Sequence, residues 1–474
     1  GVPPIDVYKV GDVYFVLDGN HRVSVARQLG ITHIEANVIE FKTNVPLTPE
    51  DDIDDLIIKA ELSEFLEQTR LNIIRPEANV EVTVPGRYRE LQTHIEAHCF
   101  LMAQEKGMSR EDAVADWYDN VYRPIVEVIR EKGILRDFPG RTETDLYLWL
   151  HKHRADVQAW LNWPIDPITA LADLVESQSS APRRVLSRLE EKVIDAVTPD
   201  ELESGPRPGT WRQEWLTARP PDRMFANILV PISGEPDNWQ GLNQALRIAQ
   251  YLEGQIYGLH VVASIEQAQS ERTMMIRVQF EQFCRGANIP GQMAVEVGKV
   301  SRLIWERARW SDLVVMHLAH PPGTQTLAKL GSNTRTIIHR CPRPILLVPR
   351  EIYELKLALV AYDASPKARE ALFVAAHVAE KWQIPLIVLT VIATGIDKAI
   401  LDDTQAYLEA QGVQGTYLAE TGDVAETILQ TAQDRAVDLI IMGGYGSKPV
   451  VEVILGSAVD RVLRESNVPI LICR

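Results

Sequence analysis

Cysteine is scarce in this chain of 474 residues: Cys99, Cys284, Cys341 and Cys473 stand far apart, with no CxxC pair and no metal-ligand spacing. That excludes a disulfide framework and the common zinc modules, and it leads us to expect a reducing, cytoplasmic setting and no metal. Also missing is an apolar run long enough to span a bilayer. No signal-like segment is visible, but the chain opens on Gly1 rather than methionine, so sequence is expected upstream of it. Positive charge is in deficit, with 49 Lys and Arg against 65 Asp and Glu and a formal net charge of -16. Such a balance argues against nonspecific nucleic-acid binding, though a local basic patch is compatible with it. What is present is a globular composition, 46% hydrophobic and 24% charged, at a length that predicts three or more domains.

The most informative stretch lies near the C-terminus. Asp438-Leu-Ile-Ile-Met442 is a short apolar run that ends in Gly443-Gly-Tyr445-Gly446, the pattern of a buried parallel strand opening into a tight loop. Beyond Leu455-Gly456-Ser457, helical periodicity places Val459, Val462 and Leu463 on one face. Gly456 and Ser457 then sit at a helix N-terminus, where unpaired N–H groups and the dipole favour an anion. Gly443 and Gly446 allow close approach of backbone to a phosphate. The blander reading is a glycine loop that only turns the chain.

This Gly-x2-Gly-x9-Gly-Ser spacing resembles the nucleotide-binding signature of the universal stress protein family, and the resemblance runs from about 355 to 474. Leu357-Ala-Leu-Val-Ala-Tyr-Asp363 followed by Ser365-Pro366 resembles the family's first strand and helix, Pro385 to Val391 its second strand, and Val468 to Cys473 its last. Alternating strands and helices independently imply a doubly wound parallel sheet, with ligands at the carboxyl ends where strand order reverses. The family's order is 3-2-1-4-5. The resemblance implies that Asp363 holds a ribose, that backbone at Ala361 and Val391 holds adenine, and that Met442, Gly443, Gly446, Gly456, Ser457 and Ala458 surround the phosphates. Tyr445 and Lys448 are further loop contacts or merely solvated. The implied cofactor is ATP or another adenine nucleotide, with Mg²⁺ as an accompanying ion.

An internal repeat precedes it. Phe225 to Pro231, Gly258 to Val261, Ser311 to Met316, Leu330-Gly331-Ser332 and Pro344 to Val348 parallel the segments just named. Residues 225–350 therefore resemble a second universal stress domain, but with a damaged site. Ser233 stands where Asp363 stands, and the loop after Met316 is longer and lacks both first glycines. Pro321 and Pro322 each remove a backbone donor. This copy is expected to bind nucleotide poorly and to pair with the other within the chain, through their last strands.

At the N-terminus, residues 1–45 read as strand, turn, strand, then Asp18-Gly19-Asn-His21-Arg22 opening a helix that stops at Gly30, then another strand at 34–40. This resembles the ParB/sulfiredoxin core, whose Gly-x-x-Arg turn implies a second phosphate site at Gly19, His21 and Arg22. Asn20 stands where sulfiredoxins carry cysteine, so sulfinic-acid reduction is not expected, and no helix-turn-helix follows. The plain alternative is that Asp18 caps the helix and Arg22 pairs with a nearby acid. Residues 46–175 read as helical, with Asp51, Asp52, Asp54 and Asp55 as a solvated first turn. His94 and His98 share a face without a third metal ligand, and Trp117 and Tyr122 stand at core spacing. Residues 176–224 read as a linker carrying one amphipathic helix at 183–197.

The fold class expected is thus α/β: two doubly wound domains, 225–350 and 355–474, after a small ParB-like α+β domain and a helical region. The leading function is a nucleotide-binding stress or regulatory protein, not an enzyme beyond slow ATP hydrolysis. It would bind an unknown protein partner and form a homo-oligomer, with no membrane or nucleic-acid partner. The alternatives are a phosphoryl-transfer or nucleotidase centre using His21 and Arg22, or a scaffold without chemistry.

Overall fold

The computed structural model describes residues 3–10, 13–41, 53–178, 208–212, 224–235, 239–318, 332–349, 353–392, 399–444 and 458–474. They fall into two compact units, residues 1–156 with 173–185, and residues 157–172 with 186–474.

In the first unit, strands β1 (Ile5–Val10), β2 (Val13–Asp18) and β3 (Ala36–Phe41) form a sheet in the order β2-β1-β3. β2 runs antiparallel to β1 and β3 parallel to it. A parallel pair needs a crossover, which the helix Asn20–Gln28 supplies. Gly19 makes the turn into that helix at φ 105. A Cβ on it would lie 2.9 Å from Ile5 Cβ, so both backbone and packing demand glycine.

The rest of this unit is helical, including Ile53–Thr69, Arg87–Lys106, Arg110–Trp117, Arg123–Glu131 and most of Glu143–Leu161. Its core is aromatic. Trp117 and Tyr122 stack at 5.3 Å, and Tyr147 meets them edge-on at 6.1 and 5.0 Å. A π-helical turn at Tyr118–Tyr122 lets Trp117 and Tyr122, five residues apart, face the same way. Tyr122 Oη is satisfied by the Thr144 hydroxyl at 2.7 Å and by Asn79 O at 3.0 Å.

The second unit is built on one ten-stranded sheet. Its first copy contains β4 (Asn227–Pro231), β5 (Gln255–Val262), β6 (Gly291–Val297), β7 (Leu313–His317) and β8 (Ile345–Val348). Its second contains β9 (Ala358–Ala361), β10 (Leu386–Ile392), β11 (Gly415–Thr421), β12 (Leu439–Gly443) and β13 (Ile470–Cys473). The observed order is β11-β10-β9-β12-β13-β8-β7-β4-β5-β6, so each copy follows 3-2-1-4-5. Every pairing within a copy is parallel, and β13 joins β8 antiparallel, Leu471 opposite Leu346. Two doubly wound domains thus share one sheet through their last strands. Helices cover both faces, so the central strands are buried and read as continuous apolar runs.

A repeated Asp sets where each copy begins. Asp438 accepts the backbone N–H groups of Lys356 at 2.6 Å and Leu357 at 2.8 Å, and Asp312 accepts that of Asn227 at 2.8 Å. These carboxylates stand one residue before β12 and β7, and each fixes the neighbouring strand's start.

Two segments outside the repeats complete this unit. Among residues 157–172, Trp160 and Trp163 lie over the Arg307 guanidinium at 5.5 and 4.7 Å, and Leu161 O accepts from it at 2.7 Å. Arg307 is 1% exposed and paired with Glu296. Burial pulls its pKa down, and the Glu296 carboxylate opposes that pull. In the stretch that reads as a linker, Trp211 is buried and lies parallel to Phe225, and Arg212 reaches Glu370 at 3.2 Å. The helix expected at 183–197 lies outside the described residues.

Candidate functional site

The carboxyl ends of β10, β9 and β12 lie side by side where strand order reverses, with Ala361 opposite Leu389 and Val360 opposite Ile441. Five residues of the sequence pattern converge there: Ala361, Asp363, Val391, Met442 and Gly443. Ala458 opens the helix Ala458–Glu465. Tyr445, Gly446, Lys448, Gly456 and Ser457 lie outside the described residues.

Local chemistry explains how Asp363 is presented. Its Oδ1 accepts the Ser365 N–H at 3.0 Å, a side-chain turn that passes through Ala364 at φ 60. Ser365 caps the helix Pro366–Trp382 by accepting from Ala368 N at 3.2 Å, and Pro366 takes the first helical position. The Asp363 side chain is exposed beyond the carboxyl end of β9. Thr390, fully buried, donates to Tyr362 O at 2.9 Å and pins the end of β9 to β10.

Gly443 has a packing role that the sequence pattern does not reveal. A Cβ on it would stand 2.9 Å from the Lys367 carbonyl carbon and 3.0 Å from Ala368 N. The first turn of Pro366–Trp382 therefore rests directly on the end of β12, and only glycine admits it. Lys367, absent from the sequence-based set, borders the site at that contact.

The first copy keeps the scaffold and changes the surface. Ser233 Oγ accepts Glu235 N at 3.2 Å in the same turn that Asp363 makes. His260, in the register position of Thr390, donates Nδ1–H to Ile232 O at 2.7 Å, which fixes its tautomer. The register that pairs Ser233 with Asp363 and His260 with Thr390 places Gln240 opposite Glu370 and Gly241 opposite Ala371, and the strand pairings place His317 opposite Gly443. A Cβ on Gly241 would meet His317 N at 3.1 Å, so here the close contact has its glycine on the helix. Helix and strand touch equally closely in both copies. In the first, however, the strand end carries an imidazole and the carboxylate is gone.

The N-terminal turn is closed by its own chain. Arg22 donates to Pro3 O at 2.9 Å, Pro4 O at 2.7 Å and Asp18 Oδ2 at 2.7 Å. Asp18 does not cap the helix; Gly19 holds the N-cap position without a side-chain bond. His21 is exposed beside Gly19. His94 and His98 part company: His98 Nε2 meets Asp116 Oδ2 at 2.8 Å, and the His94 ring lies 4.7 Å from that of His151. Among the described residues no three His, Cys, Asp or Glu are grouped to hold a metal ion. All four cysteines are buried. Burial pushes the Cys284 and Cys341 thiols up to about 12 and about 11, well above the range of an activated nucleophile. No helix among the described residues is long and apolar enough to cross a membrane.

Comparison with known proteins bears on the second unit. Residues 224–349 and 396–474 match the universal stress protein family; the second match starts beyond β9 and β10, so Asp363 lies outside it. Universal stress protein Slr1230 of Synechocystis sp. is 30% identical over 148 residues, which cover 31% of this chain and 52% of that protein. The chain spans about half the length of the first curated relatives it matches. Among solved structures, a universal stress protein from Archaeoglobus fulgidus is 22% identical with a TM-score of 0.46, covering 52% of this chain and 96% of that one. A universal stress protein in complex with cAMP is 21% identical with a TM-score of 0.23, covering 25% of this chain and 97% of that one. The C-terminal part of this chain thus matches the universal stress protein family in two successive stretches.

Proposed function

We propose that the second universal stress domain binds an adenine nucleotide, ATP foremost, and that the chain is a cytoplasmic, nucleotide-responsive stress or regulatory protein. The observation that carries this reading is the contrast at the strand ends. Only the second copy joins an exposed carboxylate, Asp363, to a bare glycine strand end at Gly443. In this reading Asp363 accepts the ribose hydroxyls, and backbone at Ala361 and Val391 contacts adenine. Met442, Gly443, Tyr445, Gly446, Gly456, Ser457 and Ala458 surround the phosphates and any bound Mg²⁺. Backbone N–H groups and a helix N-terminus suit that anion. The first copy serves as the structural mate that completes the sheet.

Among the described residues of this site no nucleophile or positioned base stands out, and binding without efficient hydrolysis is the reading we advance. Signalling requires the nucleotide to favour one arrangement of the chain over another. The N-terminal strands are read as a ParB/sulfiredoxin-like core. Its Arg22 is held by Asp18 and two carbonyls, which supports a structural role for that turn.

Calorimetric titration of ATP into the native chain and a Gly446→Val/Gly456→Val variant tests the proposal. We expect one site in the native chain and none in the variant. Undiminished binding in the variant would remove the nucleotide from this loop.

A further inference from the structure

The charge at one helix start is reversed between the two copies. In the second copy Lys367 is the second residue of the helix Pro366–Trp382, and the first turn of that helix holds no acid. A cation there meets the positive pole of the helix, which favours acids and disfavours lysine. In the register that pairs Ser233 with Asp363, Pro236 stands opposite Pro366 and Asp237 opposite Lys367. The copy that lacks the Asp363 carboxylate thus carries the charge a helix start prefers, and the copy that has it carries the opposite one. Helix stability does not account for Lys367.

Its place in the fold does. Lys367 stands where the helix rests on the end of β12, and a Cβ built on Gly443 would lie 3.0 Å from Lys367 Cβ. Side chains leave a helix tilted toward its N-terminus. This helix starts beyond the carboxyl end of β9, beside the carboxyl end of β12. The half-buried Lys367 stem therefore leads from the packing contact toward the switch point between the two strands. Asp363 and Lys367 stand on either side of the helix start, one an acceptor suited to hydroxyls and the other a cation suited to an anion.

We propose that Lys367 is a specificity-determining residue of the nucleotide site: its ammonium pairs with a phosphate of the ligand, so that the domain selects a phosphorylated adenine nucleotide over the free nucleoside. The proposal rests on the nucleotide reading given above. A bound phosphate also offsets, at the helix start, the charge that is unfavourable in its absence.

Calorimetric titration of ATP and of adenosine into the full chain tests this, with Lys367→Gln, Lys367→Asp and Lys367→Arg as variants. Each keeps the Cβ and the backbone that touch Gly443. We expect Lys367→Gln to weaken ATP by about ten-fold, because a charge-assisted contact is lost. Lys367→Asp, which copies the first domain, should weaken ATP further and melt no lower than the native chain. Lys367→Arg should retain most of the ATP affinity, and adenosine should bind every chain alike. Unchanged ATP affinity in Lys367→Gln, or adenosine weakened as much as ATP, would overturn the assignment and leave the nucleotide site in place. Loss of ATP binding in Lys367→Arg together with a lower melting temperature would make the residue structural and would equally overturn it. No ATP binding by the native chain would remove the site and the assignment together.

Discussion

The two stress-protein copies solve the same packing problem from opposite sides. Each must let the first helix touch the end of the fourth strand. The first copy places its glycine on the helix, at Gly241, and the second places it on the strand, at Gly443. The folds are equivalent, but the exposed chemistry is not. A strand-end glycine leaves backbone open at the switch point, whereas the first copy carries His317 there.

Converting the second copy into the first should produce the largest effect. Gly443→His drives a side chain into Lys367 and Ala368 and should cost about 3 kcal/mol or more, read as a drop in denaturant midpoint. Nucleotide binding retained by a folded Gly443→Ala chain would show that the glycine serves packing alone. Next comes Asp363→Ser, which copies Ser233 and keeps the turn. It should weaken ATP by about ten-fold or more, since a charge-assisted hydrogen bond contributes about 1.5–3 kcal/mol. The melting temperature should hold.

A smaller effect concerns Glu370, 3% exposed, where the first copy has Gln240. Burial raises the Glu370 pKa, and Arg212 only partly opposes it. The folded state therefore holds this proton at a higher pH than the unfolded chain. The stability from that protonation is present below the unfolded pKa of 4.5 and lost as pH rises through the folded value. Glu370→Gln should flatten that fall and leave the protein at least as stable at neutral pH. A steeper fall in the variant would contradict the assignment.

The helical part should tilt the other way. His151 packs on His94 and Tyr147, and burial, then His94 and Arg154, lower its pKa to about 3. Burial likewise lowers the His94 pKa, opposed by Glu90. Their contribution is present above the ordinary value of 6.5 and lost as pH falls from there toward about 3. His151→Phe should reduce that loss, measured as helix signal on acid titration. Unchanged acid sensitivity would remove this pair from the account.

Much of the second unit was legible beforehand. The alternation of apolar runs with helical stretches predicted two doubly wound copies, while their 3-2-1-4-5 order and their junction through last strands were implied by the family resemblance. The signals were strong because parallel strands buried on both faces leave continuous apolar runs. The reciprocal glycines were not legible, since Gly241 lies in a helix where a lone glycine carries no periodic signal. Asp312 and Asp438 could have been found from the repeated Asp-Leu before each fourth strand. Arg22 shows the opposite limit: a phosphate-clamp pattern and a self-closing turn share the same residues, and only the positions of Pro3 and Pro4 separate them. Neither the π-turn at Tyr118–Tyr122 nor the burial of Trp211 follows from composition, because each depends on partners distant in sequence.

The most direct test of the central claim, that one copy binds and its twin only supports, is photolabelling of the full chain with 8-azido-ATP followed by peptide mapping. The account predicts label confined to peptides from 357–392 and 439–474 and competed by ATP. Competable label on peptides from 227–262 or 313–348 would contradict it.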